Sequence, residues 1–520
     1  MLALMPLVAH AITVRISDGH VLNSIPVGFA SFTLDFHPGS QGAVWGKNAS
    51  ILEVDLTNKA LIGIASALAP GVLRLGGSEA GQNLTYVGFP GVDTPCPSGY
   101  YYCLTRERWD QILAFASATG VRLMLDLNLI GPAQSDDWDA AATQIDALLS
   151  YTSGKGVTPW AFELGNENQD LLKPEEAAAR FGRVHDSLAR LWPDSSARPL
   201  LVGPSVHIQP DWIVSFLSAL SPRRPLPLDV FAYHMYSGYG KAPHIAAQVP
   251  TTAFLDDARA LVDTAASAVR WSQAGAAVAS LPLMVSETAA AWASGGPSGA
   301  CVAFASSFWY LDHLAHAAAT PGGGHLAVAR QTLIGGNYSL VDSNGDFTAN
   351  PDYFVALLWR RVVEGGGGDD GVMMVEQQEA SNAAAAAAAA GRVRVLRAAR
   401  PPVIAEDTHR ELRSFAACDL SGRLVVALAN LGTAAASVVV QLSSGAVVTE
   451  QRRGREEWVL TGDGDDLLTR QVLLNGAPIA SSGGDVPPTP PRRSNSTDPI
   501  VAPPHSIVFA RFEQVPAACA

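Results

Sequence analysis

Lysine is scarce in this chain of 520 residues: only five of its 35 basic residues are lysines, against 48 acidic residues. The formal net charge is -13 at pH 7. Because nucleic acids and other polyanions are held mainly by clustered basic side chains, this balance argues against nucleic acid as a partner. Charged residues make up only 16% of the chain and hydrophobic ones 48%, which is typical of a folded globular protein and not of a disordered one.

The chain also lacks an apolar run of the roughly 20 residues that a membrane-spanning helix needs, so we expect no integral membrane span; peripheral attachment to a membrane stays open. Its first eleven residues, MLALMPLVAHA, resemble the end of a secretory signal without a basic leader; the alternative is a buried strand. Asn48, Asn83 and Asn495 each begin an Asn-X-Ser/Thr glycosylation triplet. We therefore expect a secreted, extracellular protein or one of a vacuole or lysosome.

Cysteine is also infrequent, with five residues and no Cys-X-X-Cys pair or His/Cys cluster that would indicate zinc. We expect neither a metal nor a cofactor. Cys96 and Cys103 lie in one Gly/Pro/Tyr-rich loop, and Cys418 and Cys519 bracket the C-terminal region. Two disulfides with Cys301 as a spare thiol would suit an exported protein, whereas five reduced thiols would suit a cytosolic one.

Eight short apolar runs alternate with longer Ala-rich segments of helical periodicity. The runs are apolar on both faces, as in parallel strands that helices cover. Eight such β-then-α units predict a closed (β/α)8 TIM barrel, an α/β fold. The predicted strands are 27–36, 71–77, 121–128, 160–167, 200–206, 229–236, 282–287 and 326–334.

Beyond residue 365 the pattern changes to β-type runs, after a glycine-rich segment and an alanine tract at 383–390. These runs predict a C-terminal antiparallel β-sandwich, interrupted by a proline-rich surface loop at 486–499. The run ITVRI at 12–16 is expected to join that sandwich. The predicted domains are a signal-peptide remnant at 1–11, an N-terminal strand at 12–22, a catalytic barrel at 23–365 and the sandwich at 366–520.

Two glutamates stand at the ends of predicted barrel strands, where barrel enzymes carry their active sites. Strand four ends in Asn166-Glu167 and strand seven ends in Glu287. Glycoside hydrolysis needs one protonated and one ionised carboxyl group on either side of the scissile bond. We therefore predict a retaining glycoside hydrolase with Glu167 as acid/base and Glu287 as nucleophile. We expect the Glu287 carboxylate to raise the pKa of Glu167.

Other polar residues follow the same strand ends. Glu163, inside strand four, is interpreted as a structural group of the barrel interior. His234 and Tyr236 end strand six, where the tyrosine would either hydrogen-bond the nucleophile or cap the barrel. Strand eight leads into the loop Gly335-Gly336-Asn337-Tyr338, which is either an anion pocket for a sugar carboxylate or an ordinary turn.

As a set, seven segments resemble the heparanase-like β-glucuronidases, glycoside hydrolase family 79, in their plant-type branch. The likeness covers nearly the whole chain in order, and the motifs are specific as a set. The matching segments are SFTLDFHP (31–38), VLRLGGS (72–78), CLTRERWDQILAF (103–115), FELGNEN (162–168), HMY (234–236), SETAAAWASGG (286–296) and RQTLIGGNYSLVD (330–342).

The resemblance implies a retaining mechanism on a β-D-glucuronide, with Glu167 as proton donor and Glu287 as nucleophile. Ser78 stands where the family usually has threonine, and Trp292 where it usually has tyrosine, which bears on the size of the sugar pocket. The residues that the resemblance places at the substrate are Asp35, Ser78, Asn166, His234, Tyr236, Gly295, Gly296, Gln331, Gly336 and Tyr338.

Mammalian heparanases of this family carry a long excised segment after the second strand and basic clusters beside the cleft. Here residues 79–103 are short and contain no lysine or arginine. We therefore expect a single-chain enzyme that releases terminal glucuronic acid from weakly charged glycans or small glucuronides. The alternatives are an endo-β-glucuronidase, a related hydrolase of neutral sugars, and a non-catalytic glycan-binding relative. The sequence leaves the oligomeric state open.

Overall fold

The computed structural model describes residues 11–37, 45–92, 95–132, 137–321, 324–343, 345–365, 391–399, 411–448, 454–495, 498–513 and 519. The leader at 1–10 and the alanine tract at 383–390 lie outside these residues, as does most of the glycine-rich segment before that tract. No described helix is both long and apolar enough to cross a membrane.

Eight parallel strands close into a barrel, which confirms the predicted fold class. All eight predicted runs overlap one of these strands, although β9 and β10 extend beyond the predicted ends, and neighbours around the barrel follow chain order. The barrel strands are β2 (Ala30–Asp35), β3 (Val72–Gly76), β6 (Arg122–Leu127), β7 (Ala161–Leu164), β8 (Leu200–Val206), β9 (Val230–Tyr239), β10 (Leu283–Trp292) and β11 (His325–Arg330).

Helices cover the outside of the barrel and alternate with its strands. The helix α5 (Pro174–Leu191) turns Ala177, Phe181, Val184 and Leu188 inward, the spacing of an amphipathic helix, whereas α10 (Phe304–Ala319) is buried on nearly all sides. The α-helices are α1 (Lys59–Ala67), α2 (Ser78–Asn83), α3 (Arg106–Thr119), α4 (Trp138–Gly154), α5 (Pro174–Leu191), α6 (Pro210–Leu220), α7 (Ile245–Gln248), α8 (Thr252–Arg270), α9 (Ala276–Ala279), α10 (Phe304–Ala319) and α11 (Pro351–Leu358).

The remaining strands lie outside the barrel. Two short ones, β4 and β5, pair with each other next to the Cys96–Cys103 disulfide, and the others form an 11-stranded sheet. They are β1 (Ile12–Pro26), β4 (Leu84–Val87), β5 (Tyr102–Thr105), β12 (Arg392–Ala399), β13 (Leu412–Cys418), β14 (Leu424–Asn430), β15 (Ala436–Leu442), β16 (Gly454–Gly462), β17 (Val472–Leu474), β18 (Ala477–Ile479), β19 (Arg492–Asn495), β20 (Ile500–Ala502) and β21 (Ser506–Phe512).

The large sheet has two apolar faces because side chains alternate along each strand. In β14, Val425 and Ala427 belong to the core shared with the barrel, whereas Leu424 and Val426 belong to a separate core within the C-terminal region. β1 joins this sheet through antiparallel pairing with β12 and parallel pairing with β15. The chain start therefore ties the sheet to the barrel, while the exact domain boundaries stay predictions.

Two features of the C-terminal region bear on the sequence predictions. Cys418 and Cys519 form the second disulfide, so both expected cross-links are present and Cys301 is the free, buried thiol. The proline-rich segment expected to be only a loop contains β19, which pairs with β16. Arg492 of this strand contacts the buried carboxylate of Glu457. The strand was not predicted because its segment is rich in proline and arginine.

A buried carboxylate links the end of the helical layer to the segment before the first barrel strand. Glu364, which follows the last helical turn, has no exposed surface and accepts hydrogen bonds from the backbone N–H groups of Gly28 (2.7 Å) and Phe29 (3.0 Å). Arg360 lies 3.7 Å from the same side chain. The end of the helical layer is therefore fixed to the start of β2.

Replacing Glu364 with alanine should lower the free energy of unfolding by about 3 kcal/mol, because two buried N–H groups and a cation lose their acceptor. Chemical denaturation followed by circular dichroism measures this. The matched control is Asp257→Ala on the exposed face of α8, where a change within about 0.5 kcal/mol is expected. Equal effects of the two substitutions would contradict the role given to Glu364.

Candidate active site

The carboxyl ends of the barrel strands surround a cavity of about 660 Å³. Both predicted catalytic glutamates line it, as do Asp35, Ser78, Asn166, His234, Tyr236, Gln331 and Tyr338. These residues come from six different barrel strands or the loops that follow them, so only closure of the barrel brings them together.

Glu287 lies within β10 and is held from two sides. Its Oε2 atom accepts a hydrogen bond from Arg74 Nη1 at 2.7 Å, and its Oε1 atom accepts one from the hydroxyl of Tyr236. The contact that the sequence predicted between Tyr236 and Glu287 is thus present. Because both partners donate, the arrangement suits a carboxylate whose position is fixed before a substrate arrives.

Arg74 is the centre of this network and was missed by the sequence reasoning. Fully buried in β3, it also donates to Glu163 Oε2 (2.6 Å) and Asn166 Oδ1 (2.7 Å). The interpretation of Glu163 as a barrel-interior group agrees with this contact. Although burial opposes its charge, the carboxylates of Glu163 and Glu287 raise the pKa of Arg74 above its usual range. An arginine at the middle of an otherwise apolar barrel strand was the available signal.

A third carboxyl group, Asp126, lies in the same interior, with one oxygen 4.0 Å from Arg74 Nη2. It is fully buried, and neither of its oxygens has a hydrogen-bond partner. Burial first, and the nearby Glu163 second, raise the pKa of Asp126 well above its usual value. Asp126 is therefore expected to be protonated, which leaves Glu163 and Glu287 as the carboxylates that Arg74 contacts.

Glu167 follows β7 in a left-handed backbone conformation, with φ 53°, which turns its side chain into the cavity. One carboxylate oxygen each of Glu167 and Glu287 and a ring nitrogen of His234 all lie within 4.8 Å of one another. The two carboxyl groups are thus far closer than the roughly 6.5–9.5 Å of inverting glycosidases.

Two histidines contact Glu167, one at each oxygen. His234 Nδ1 lies 2.9 Å from Oε1, and His207 Nε2 lies 3.4 Å from Oε2. Burial raises the pKa of Glu167, but these two contacts lower it further than burial raises it, so the net pKa falls below the usual range. The expectation of a raised pKa in the free protein was therefore wrong, because nothing in the sequence indicated that His207 would face the carboxylate.

His234 has a defined hydrogen-bonding role. Its Nε2 atom lies 3.4 Å from Arg74 Nη2, and an arginine can only donate. Nε2 therefore carries a lone pair when the ring is neutral, and the proton sits on Nδ1, where it is donated to Glu167. The buried ring thus fixes the orientation of the Glu167 carboxyl group through a hydrogen bond to Oε1.

The predicted sugar-binding side chains cluster on the opposite wall. Gln331 donates to Asp35 Oδ2 at 3.0 Å and contacts the Thr33 hydroxyl. Burial, and then the charges of Glu79 and Glu287, raise the pKa of Asp35 to about 8. Asp35 is therefore protonated at acidic pH, which removes one negative charge from this wall.

The three predicted glycines support this wall and are not part of the cavity lining. The N–H groups of Gly296 and Gly336 donate to the carbonyl oxygens of Ala293 and Trp45. A Cβ atom at Gly295 would lie 2.3 Å from the Asn337 carbonyl, and one at Gly296 would lie 1.8 Å from the carbonyl oxygen of Gly240. These loops can pack this closely only because glycine occupies both positions.

Apart from Trp292, several residues at the cavity and its rim were not singled out from the sequence. His37 Nδ1 lies 2.8 Å from Glu79 Oε1, and Trp45 packs edge-on against Tyr338, with ring centroids 6.0 Å apart. At the rim, Trp292 lies against Tyr239 with centroids 4.4 Å apart, and each is about half exposed. Aromatic residues at a sugar site commonly provide stacking surface, but one sequence cannot show which of them face a cavity.

Among the described residues, Glu167, His234 and Glu287 could in principle offer three ligand atoms to a metal ion. The guanidinium of Arg74, 2.7 Å from Glu287, would repel a cation at this position. The donor set therefore fits a hydrogen-bonded carboxylate pair better than a metal centre.

Comparisons with known proteins agree with this geometry. Residues 11–315 match the family model "Glycosyl hydrolase family 79, N-terminal domain". The chain is 27% identical to heparanase-like protein 3 of Arabidopsis thaliana over 97% of its own length and 93% of that protein. It is also 27% identical to baicalin-β-D-glucuronidase of Scutellaria baicalensis, over 64% of its own length and 67% of that protein.

A solved structure shares the overall fold. The GH51 arabinofuranosidase of Xanthomonas axonopodis pv. citri superposes with a TM-score of 0.63 and 16% sequence identity, covering 97% of this chain and all of that one. At this identity the likeness concerns the architecture alone: a barrel with an appended β-sheet region.

The raised pKa of Asp35 predicts a pH-dependent stability. Between its ordinary value of 3.8 and about 8, the folded protein binds a proton at Asp35 that the unfolded chain has lost. The free energy of unfolding contributed by this group therefore falls as pH rises through that window, by at most about 1.4 kcal/mol per pH unit.

Asp35→Asn should remove this contribution, so the variant should gain stability relative to the parent as pH rises from 4 to 8. Urea denaturation at each pH gives the two curves, and Asp257→Asn on the exposed face of α8 serves as control. A constant difference between Asp35→Asn and the parent at all pH values would show that Asp35 titrates normally.

Proposed function

The chain belongs to glycosyl hydrolase family 79, and from this premise we propose that it is a retaining β-D-glucuronidase that releases terminal glucuronic acid. The observation that carries the proposal is the pair Glu167 and Glu287, which approach within 4.8 Å across the cavity. Such a close pair suits direct attack on the sugar by one carboxylate, with no room for an intervening water.

In the first step Glu287 attacks the anomeric carbon and the bond to the leaving-group oxygen breaks. Arg74 and Tyr236 hold both oxygens of this carboxylate in place, so attack needs little reorganisation. Glu167 gives its proton to the departing oxygen. Asn166, anchored by Arg74, is positioned to hydrogen-bond the sugar 2-hydroxyl, a contact that strengthens in the transition state.

In the second step a water molecule attacks the glycosyl-enzyme ester and releases glucuronic acid. Glu167, now ionised, accepts the proton of that water. The contacts from His234 and His207, which lower the pKa of Glu167, favour the ionised form that this step requires. The same contacts oppose the first step, so the proton on Glu167 needs a source other than a raised intrinsic pKa.

The sugar carboxylate would be held by neutral donors. Arg74 lies behind Glu287, and none of the described residues that line the cavity is lysine or arginine. Tyr338 and Gln331 line the wall beside Asp35, whose proton at acidic pH spares the substrate a repulsive charge. We assign this wall to the glucuronate carboxylate, with the backbone at Gly295, Gly296 and Gly336 as its support.

The same lack of lysine and arginine favours weakly charged substrates. A sulfated polysaccharide is normally drawn to its enzyme by basic side chains, whereas the rim here presents the aromatic pair Trp292 and Tyr239. A neutral sugar or a small aryl group attached to the glucuronate could stack on that pair. We therefore favour exo-action on small glucuronides or weakly charged glycans over endo-cleavage of a heparan chain.

We further propose that the protein acts outside the cell or in a vacuole or lysosome. Two disulfides, which persist in oxidising compartments, and the apolar N-terminal segment support this location. The proposed catalytic domain spans 23–365, with the strand at 12–22 and the region 366–520 forming the accessory sheet.

Glu287→Ala should abolish turnover of a nitrophenyl β-glucuronide, because no covalent intermediate can form. Azide should restore part of the activity and give product of inverted anomeric configuration, identified by NMR. Glu167→Ala should lose roughly 10²–10⁴-fold with alkyl leaving groups and much less with nitrophenyl. Glu175→Ala on the exposed start of α5 is the control. Near-normal activity of Glu287→Ala would refute the assignment.

Substrate class is tested by offering the purified protein heparan sulfate and a simple aryl β-glucuronide side by side. We expect release of glucuronic acid from the aryl glucuronide and slow or absent shortening of heparan sulfate. Aryl β-glucoside, β-xyloside and α-arabinofuranoside complete the panel. Rapid formation of large heparan fragments would favour endo-action, preference for a neutral glycoside would favour another barrel hydrolase, and binding without any turnover would favour a non-catalytic relative.

A further inference from the structure

Glu167 is flanked by two histidines whose surroundings differ. His234 is fully buried between Glu167 and Arg74, and its tautomer is set by that arginine. His207, on the loop that follows β8, has a side chain that is 48% exposed and lines the cavity. Only His207 can therefore exchange a proton directly with solvent.

The two oxygens of Glu167 differ in the same way. Oε1 accepts from His234, so Oε2 is the atom left to give a proton to a leaving group, and Oε2 is the atom that His207 faces at 3.4 Å. The backbone N–H of His207 lies 3.4 Å from Gln169 Oε1, in the short turn after Glu167. The loop that carries His207 is thus tied to the segment that carries the acid.

We propose that His207 is a positioning residue for Glu167 and that the two side chains share the proton which the leaving-group oxygen receives. This inference rests on the proposed function. In the free enzyme the proton resides mainly on His207 Nε2; it passes to Glu167 Oε2 and then to the departing oxygen as the glycosidic bond breaks. In the second step the proton of the attacking water returns to Glu167 Oε2 and is shared again.

The electrostatic surroundings favour this sharing. The hydrogen-bonding contact with Glu167 raises the pKa of His207, and the charges of Glu167, Glu287 and Asp170 add to it, while burial works in the opposite direction. The other titratable groups facing Glu167 are His234, 2.9 Å from its Oε1, which favours the ionised form, and Glu287, which lies within 4.8 Å and opposes it.

The consequence concerns the basic limb of the pH–rate profile. The pair loses its shared proton at the raised pKa of His207, so the enzyme should keep its acid function to a pH where an isolated carboxyl group would have lost it. Without His207, the proton would be held by Glu167 alone, beside His234, and would be lost at lower pH.

The test is the pH dependence of kcat/KM for His207→Gln, with an alkyl β-glucuronide, which needs the acid, and with nitrophenyl β-glucuronide, which needs it little. With the alkyl substrate, we expect the basic limb to move to lower pH by at least one unit and activity at neutral pH to fall tenfold or more. With the nitrophenyl substrate, the change should stay below threefold. His244→Gln, on the exposed loop after the neighbouring strand β9, is the matched control and should leave both profiles unchanged.

An unmoved basic limb, or an equal loss with both substrates at every pH, would overturn the proposal. A second measurement does not depend on turnover: the imidazole of His207, followed by NMR in protein with labelled histidine, should titrate above its usual pKa and return towards it in Glu167→Gln. An unchanged titration would overturn the sharing, even if the enzyme hydrolyses glucuronides. Absence of hydrolysis of either glucuronide by the parent protein would instead refute the proposed function.

Discussion

The buried guanidinium of Arg74 is the interaction on which the cavity depends. It lies inside the barrel and donates to Glu163 in β7, to Asn166 in the loop that follows β7, and to Glu287 in β10. Carboxylates cannot be buried in such a space without a counter-charge, because the loss of hydration would cost several kcal/mol for each ion. This one side chain thus offsets part of the negative charge of the interior and sets the position of the proposed nucleophile relative to the neighbouring Asn166-Glu167 segment.

The two sides of the cavity solve different electrostatic problems. On the side of Glu167, two imidazoles stabilise a carboxylate, although the proposed chemistry needs a carboxylic acid there at the start of each cycle. On the side of Asp35, burial and neighbouring acids favour a neutral carboxyl group. The proposed substrate is itself an anion. A protonated Asp35 and neutral donors such as Tyr338 therefore suit it better than a further negative charge would.

Close packing of loops, more than any single side chain, shapes the wall opposite Glu167. The segments 293–296 and 335–338 meet so tightly that a side chain at Gly295 or Gly296 would collide with backbone. This contact holds Tyr338 against Trp45 at the cavity. The resemblance to family 79 pointed to these glycines as ligand contacts; in the structure they allow the two loops to approach each other closely.

The sequence by itself determined the barrel. Parallel strands that helices cover consist of short, continuous apolar runs, and all eight of these runs were recognised. It also located Glu167 and Glu287, since the catalytic residues of barrel enzymes lie at strand ends.

Strands such as β13 and β16, which mix charged and small residues, were missed, as was β19 in its proline-rich segment. Arg74 and His207 were missed for a different reason: their partners lie between 40 and 213 positions away in the chain. Which groups meet across a closed barrel, and therefore whether the pKa of Glu167 rises or falls, was decided by the tertiary structure, because electrostatic interactions depend on distance and burial in space and not on spacing along the sequence.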